Sequence, residues 1–446
     1  IEGGRLNLVP VDYVVDAMDH IAHKSGLDGR CFHLTDPDPR RVGDVLSIFA
    51  HAGHAPPLSL RLNARMFGFI PESLRREIAG LTPVRRIGEQ LMKDFGLPPH
   101  IMTFVNYPTR FDCREAQQAL AGTDIRVPPL EGYAWKLWDY WERHLDPELS
   151  LDKTLSAAVK GKVVLITGGG AGIGKAAALK IAAAGATLIV VDREEERLRA
   201  LGKEVEDAGG RIATYLCDLT EFDQCDQMVK KLLEEHGAVD VLVNNAGRSI
   251  RRSIEHSFDR FHDFERTMRL NYFGALRLTL GLLPAMQKKK AGHVINVSSI
   301  GVLTNAPRFS AYVASKAAMD AFARCAASEF ADDGIAFTTI NMPLVRTAMT
   351  APTRIYEQTE MLTPEQAADL IVKAIIERPD RIATRLGIFA EVVHAVAPKI
   401  SHIVMNTAYR MFPESAAALG LKDAAAEPQL SPEQIAFSQL VRGFHI

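Results

Sequence analysis

The stretch KVVLITGGGAGIGKAAALKIAAAGATLIVVD, residues 162–192, decides the fold. Its opening apolar run, KVVLITG, reads as a buried strand, the Ala-rich segment from Gly172 to Gly185 as a helix, and TLIVVD as a second strand. Four more β-rich runs follow: RIATYLCDL from Arg211, DVLVNNAG from Asp240, HVINVSS from His293 and IAFTTINMP from Ile335. The intervening stretches are long enough for helices, and parallel strands need such crossovers. The expected architecture is α/β, a doubly wound parallel sheet of the Rossmann type with helices on both faces.

Within that frame the turn Thr167–Gly174, TGGGAGIG, joins the first strand to its helix. Gly168, Gly172 and Gly174, with Ile173 between the last two, let backbone approach a pyrophosphate at a helix N-terminus, where free N–H groups favour anions. Asp192 ends the second strand and could accept from both ribose hydroxyls of NAD, whereas the adjacent Arg193 could pair with the 2′-phosphate of NADP. Asp218, and Asn245, Ala246 and Gly247 of the run NNAG, end later strands on the same edge, as adenine and ribose contacts should.

SAYVASKAAMD, residues 310–320, places Tyr312 four positions before Lys316. On a helix these share a face, and an ammonium near a phenol favours the phenolate, lowering the tyrosine towards a range useful for acid–base work. An exposed helix with an incidental Tyr and Lys is the plainer alternative, and the glycine turn upstream weighs against it.

The ordered set of motifs resembles the short-chain dehydrogenase/reductase family. The resemblance implies a catalytic Ser at Ser299 in INVSSIG, with Ser298 as its rival, a catalytic Asn at Asn271 in RLNYFGA, and a nicotinamide loop around Pro343 and Thr347. Leu344 stands where the family usually has Gly. Residues 155–420 more closely resemble the bacterial fatty acyl-CoA reductases, through NNAGRSIRRSIEHSFDRF and INVSSIGVLTNAPRFSAYVASK. LNLVPVDYVVDAM, near the start, resembles the end of an extended dehydrogenase domain, as in two-domain forms of those enzymes. The implied activity is NADPH-dependent reduction of long-chain acyl-CoA to aldehyde, with onward reduction to alcohol open. NADH stays an alternative cofactor because of Asp192. The four residues alone serve a long-chain aldehyde or ketone equally well, and a non-catalytic cofactor-binding scaffold is the alternative of another class.

The rest of the chain sets bounds. With 446 residues, two or three domains are expected: residues 1–130 as the partial end of an extended dehydrogenase domain, 131–158 as a linker with a Trp-rich helix, and 159–446 as the classical domain with a C-terminal extension. The chain opens on Ile1, and the expectation is that it starts inside a larger polypeptide. Trp135, Trp138 and Trp141 have the spacing of a helix packed on a neighbour, with a stacking site as the alternative. A formal net charge of −2 gives no basic field for nucleic acid. The five cysteines show no metal-ligand spacing and read as buried small hydrophobes in a reducing compartment. No metal is expected. No apolar run approaches the roughly 18 residues of a membrane span. The location expected is the cytoplasm, as a homo-oligomer; the apolar helical face of LGIFAEVVHAVAPKISHIVMNTAYRMF reads first as core packing, with covering an acyl tunnel, dimerising or lying on a membrane as the alternatives. Arg248, Arg251 and Arg252 could meet the phosphates of CoA, or be a solvated loop paired with Glu255 and Asp259.

Overall fold

The computed structural model describes residues 5–54, 81–82, 85–87, 111–144, 153–351, 356, 361–412, 414, 431 and 434. The chain divides into two compact units, Ile1–Leu151 and Asp152–Ile446. In the first, β1 (Arg5–Leu6) pairs antiparallel with β2 (Arg40–Arg41). Around this ribbon lie α1 (Val11–His23), α2 (Val42–Ala52), α3 (Arg114–Ala119) and α4 (Ala134–His144). The Trp-rich helix is α4. It packs on α2, with the Trp138 and Trp141 rings 5.4 Å apart and Trp135 left 56% exposed. The apolar residues of this unit form small clusters, one around Tyr13, Ala17 and Leu120 and another around Val45, Leu130 and Ala134.

The second unit is built on a seven-stranded sheet. Its strands are β3 (Val163–Thr167), β4 (Thr187–Asp192), β5 (Arg211–Leu216), β6 (Val241–Asn244), β7 (Gly292–Val297), β8 (Ile335–Ile340) and β9 (Arg381–Ile382). All pair in parallel, in the order β5-β4-β3-β6-β7-β8-β9. The connecting helices are α5 (Gly172–Ala183), α6 (Glu195–Asp207), α7 (Phe222–His236), α8 (Phe261–Met268), α9 (Ala275–Lys289), α10 (Ile300–Thr304), α11 (Ser310–Glu329) and α12 (Pro364–Glu377). After β9 come α13 (Arg385–Val396) and α14 (Pro398–Met411).

Alternation along each strand sends side chains to two separate cores. Val164, Ile166, Leu188 and Val190 pack with α5, α6 and α12. Leu165, Ile189 and Val191, the residues between them, pack with α7, α9 and α11. With every central strand covered on both faces, the sheet is rigid and its carboxyl edge becomes the free place for a ligand. Sheet order reverses between β3 and β6, which opens a crevice at that edge.

One sequence expectation needs correction. Cys31 and Cys325 are exposed, whereas Cys113, Cys217 and Cys225 are buried as expected; Cys325 lies on the outward side of α11, where periodicity and not residue type decides exposure. Arg252 also has a partner that the sequence reading did not name. Asp263, 2% exposed, gathers Arg252, Arg260 and Arg266 around one carboxylate, because a buried charge needs opposite charges about it.

Candidate active site

A cavity of about 340 Å³ occupies the crevice. Gly168, which follows β3 with φ +63°, starts the turn that forms its floor, and its N–H donates to Val191 O at 2.7 Å. The turn then passes so close under itself that a Cβ on Gly174 would sit 2.3 Å from Gly168 O and 2.6 Å from Asn245 Nδ2. Only glycine fits there, and the close approach brings the start of α5 to the cavity, where Gly172 and Ile173 line the wall.

Asn245 fastens the neighbouring strand end: its side chain donates to Thr167 O at 3.0 Å and Gly168 O at 3.1 Å. The backbone N–H groups of Asn245 and Ala246 both donate to Thr167 Oγ1. Asp192, at the end of β4, accepts from Gly170 N at 3.0 Å and from Glu194 N at 3.1 Å. Its charge is therefore shared with two backbone donors. Arg193, Asp218, Gly247 and Arg248 complete this side of the cavity, and Pro343 and Thr347 close it opposite the turn.

The sequence-predicted pair lies on α11, where Tyr312 and Lys316 are 8% and 6% exposed and both line the cavity. Ser299 lies behind the wall, hydrogen-bonds the Tyr312 hydroxyl and N-caps α10 by accepting from Gly301 N at 3.0 Å. Ser298 lines the cavity itself. Asn271 is beneath the loop after β6: it donates to Arg248 O and Ser315 Oγ, both at 2.9 Å, and accepts from Arg248 N at 2.8 Å. The backbone around Asn271 is a π-helical turn, Arg269–Gly274, inserted between α8 and α9. Such turns need an extra residue per loop of backbone and persist where a side chain must be re-aimed.

One electrostatic expectation reverses. Burial pushes the Tyr312 phenol above its ordinary value, and the Ser299 hydrogen bond offsets this only in part. Lys316 donates instead to Val297 O at 2.7 Å, and burial pulls its ammonium down to about 8. Desolvation outweighs the mutual influence of the pair.

A profile of the family described as short chain dehydrogenase matches residues 162–358. The chain is 53% identical to a fatty acyl-CoA reductase of Acinetobacter baylyi over 64% of its own length and 96% of that protein's. It is 39% identical to a fatty acyl-CoA reductase of Mycobacterium tuberculosis, over 59% of this chain and 90% of that one. A solved short-chain dehydrogenase from Streptomyces avermitilis is 30% identical, covering 56% of this chain and 98% of that one, with a TM-score of 0.48.

The chain belongs to the short-chain dehydrogenase family. It is an oxidoreductase with a Rossmann-type fold, a family that binds NAD(P)(H), and the close backbone passage at Gly174 and the donor-rich start of α5 fit a dinucleotide. At the position where Gly was expected, this dehydrogenase has Leu344, 1% exposed, in an apolar cluster with Ala306, Phe309, Tyr312 and Tyr356. The departure thus builds an apolar wall beside the tyrosine ring.

Sequence reasoning missed the residue that ties this wall together. Arg308, buried and with φ +68°, donates to Tyr409 O at 2.9 Å and Phe412 O at 2.6 Å, and its guanidinium lies over the Tyr409 ring at 4.2 Å. Its Nε is 3.3 Å from Glu414, which also accepts from Ser253 N at 3.0 Å. Arg308 O accepts from Arg252 N at 2.6 Å. The C-terminal end of α14, the loop after β6 and the turn before α11 meet at this one side chain. Only its left-handed backbone, rare outside Gly, Asn and Asp, marks it as special, and that is invisible in sequence. Arg251 and Arg252 belong to this junction and do not line the cavity.

Proposed function

We propose that the chain reduces a long-chain acyl-CoA to the fatty aldehyde with NADPH. The observation that carries the reading is the placement of a buried, Ser299-bound Tyr312 hydroxyl and of Lys316 on one cavity wall, facing the glycine turn. The names of the two relatives supply the thioester. A bound NADPH would supply the hydride to the carbonyl carbon. Tyr312, whose phenol burial keeps protonated at neutral pH, donates its proton to the carbonyl oxygen, and Ser299, hydrogen-bonded to the phenol, orients it for that transfer. Lys316 holds the nicotinamide ribose and its charge stabilises the phenolate left behind. Collapse of the hemithioacetal then releases the CoA thiol and aldehyde. Asn271 keeps the loop carrying Gly247 and Arg248 in register with α11.

NADPH is favoured over NADH because Arg193 and Arg248 line the same cavity and lie within each other's field, a pair of cations suited to a 2′-phosphate. Asp192, drawn towards Gly170 and Glu194, opposes it less than its position in the sequence implies. Gly168, Gly172, Ile173, Asp218, Asn245 to Gly247, Pro343 and Thr347 are the other groups assigned to the dinucleotide. Of the three arginines read from the sequence as meeting the CoA phosphates, Arg248 lines the cavity, whereas Arg251 and Arg252 would meet them only from the junction at Arg308.

Residues 1–130 are read as the end of an extended dehydrogenase domain, and the protein as a cytoplasmic homo-oligomer that touches lipid through α13 and α14. Among the described residues no helix is long and apolar enough to cross a membrane, but Phe389, Val396 and Ile403 on these helices are 63%, 80% and 67% exposed. Vesicle flotation and size-exclusion chromatography test those two statements. The reaction is tested by following NADPH and NADH oxidation with palmitoyl-CoA and with a long-chain aldehyde. Turnover of the aldehyde without the thioester would replace the reading by a carbonyl reductase; turnover of neither would leave the scaffold.

A further inference from the structure

Tyr312, Lys316 and Asp320 follow one another at intervals of four along α11, all facing inwards, and Asp320 is only 3% exposed. No step proposed above uses this carboxylate, yet a buried charge is costly unless it is paired and hydrogen-bonded. Its surroundings show what it is bound to. Asn341, just past β8, donates through one Nδ2 to Asp320 Oδ2 at 3.1 Å and to Ser299 O at 3.3 Å. Lys316 donates to Val297 O at 2.7 Å. The bend Val297–Ser298–Ser299 is therefore gripped from both sides by α11, by Lys316 directly and by Asp320 through Asn341.

We infer that Asp320 is a positioning residue for the proposed reaction, which through Asn341 seats the segment carrying Ser299 against the helix that carries Tyr312 and Lys316. The inference rests on that reading of Tyr312 and Lys316. The charges acting on Asp320 are those of Lys316 and Arg324 on its own helix, and the strand ends packed against it contribute the neutral Ser298 and Asn341. Burial pushes Asp320 up, and these four groups oppose the rise. Burial pulls Lys316 down to about 8, and Asp320 is the group that opposes this fall. The sign follows. Reduction needs the ammonium, so activity is present below the Lys316 value and is lost as pH rises through about 8. Removing the Asp320 charge lowers Lys316 further and lowers Tyr312 as well, so both changes move the alkaline limb to lower pH.

The test uses the full chain with Asp320→Asn, whose amide oxygen can still accept from Asn341, and with Asp320→Glu, which restores the charge. Profiles of kcat/KM for palmitoyl-CoA from about pH 6 to about pH 10 are compared with the pH dependence of NADPH affinity followed by nicotinamide fluorescence. The expected result is an alkaline limb moved down by about one pH unit in Asp320→Asn in both measurements, and returned most of the way in Asp320→Glu. Profiles of Asp320→Asn that superimpose on wild type would overturn the inference. Should Asp320→Asn not fold, Asp320→Ala removes the same charge with a smaller side chain and should move the limb the same way, and an unmoved limb there overturns the inference equally. If wild type reduces no substrate, the proposed reaction fails on its own, while the NADPH-affinity profile still decides the role of Asp320.

Discussion

The two halves of the cleft are made in different ways. The nucleotide half comes from the turn after β3 and from the ends of neighbouring strands, each fastened by a backbone N–H: Gly168 N donates to Val191 O, Asn245 N to Thr167 Oγ1 and Gly170 N to the Asp192 carboxylate. The wall beside Tyr312 joins the loop after β6, the turn before α11, Leu344 and the end of α14, and is held largely by side chains, above all Arg308 and Glu414. Rigid strand ends place groups to within tenths of an ångström, whereas a wall assembled from distant segments can be rebuilt without touching the sheet.

The comparison breaks most visibly at the seam. Tyr312→Phe keeps the ring in its apolar cluster and removes only the proton donor, so turnover should fall by about 10²-fold to 10⁴-fold with NADPH affinity nearly unchanged. Steady-state rates and a cofactor titration check this, and a wild-type kcat would end the acid role. In the nucleotide half, Gly174→Ala puts a methyl group into Gly168 O and Asn245. Overpacking of this kind typically costs about 1 to 3 kcal/mol, so NADPH affinity should fall by about ten-fold or more, measurable by calorimetry. Unchanged affinity would mean that the turn is not the pyrophosphate site.

Smaller effects sharpen the division. Arg193→Ala should lower kcat/KM for NADPH by about ten-fold, the loss of one charge-assisted contact, while that for NADH stays level. A wild-type preference for NADH, unmoved by the variant, would give the choice to Asp192. Replacing Arg251 and Arg252 together with Ala should raise KM for acyl-CoA by roughly three-fold to ten-fold and reduce its salt dependence, with the aldehyde little affected. Equal loss on both substrates would show that the pair serves the junction at Arg308 instead of the CoA phosphates.

What the sequence disclosed divides along the same seam. Glycine spacing, strand runs and the Tyr312–Lys316 interval are local patterns, and local patterns determine local geometry. β9, with two residues, is too short to show a period. The π-helical turn under Asn271 leaves no compositional trace. Arg308 looked like any loop arginine because its partners lie about a hundred residues away. The direction in which Tyr312 titrates was misjudged for a related reason: the neighbour in sequence was visible, but the burial that outweighs it is a property of the assembled fold.

The reach of Arg308 also sets a schedule. Its carbonyl partners Tyr409 and Phe412 leave the ribosome 101 and 104 residues after it. At about 5 to 20 residues per second, the guanidinium waits roughly 5 to 20 seconds for them. The glycine turn and its strand neighbours, with the α12 residues that close their core, are all synthesised before then. During synthesis this protein therefore passes through an interval in which the wall beside Tyr312 still lacks the segment that will brace it.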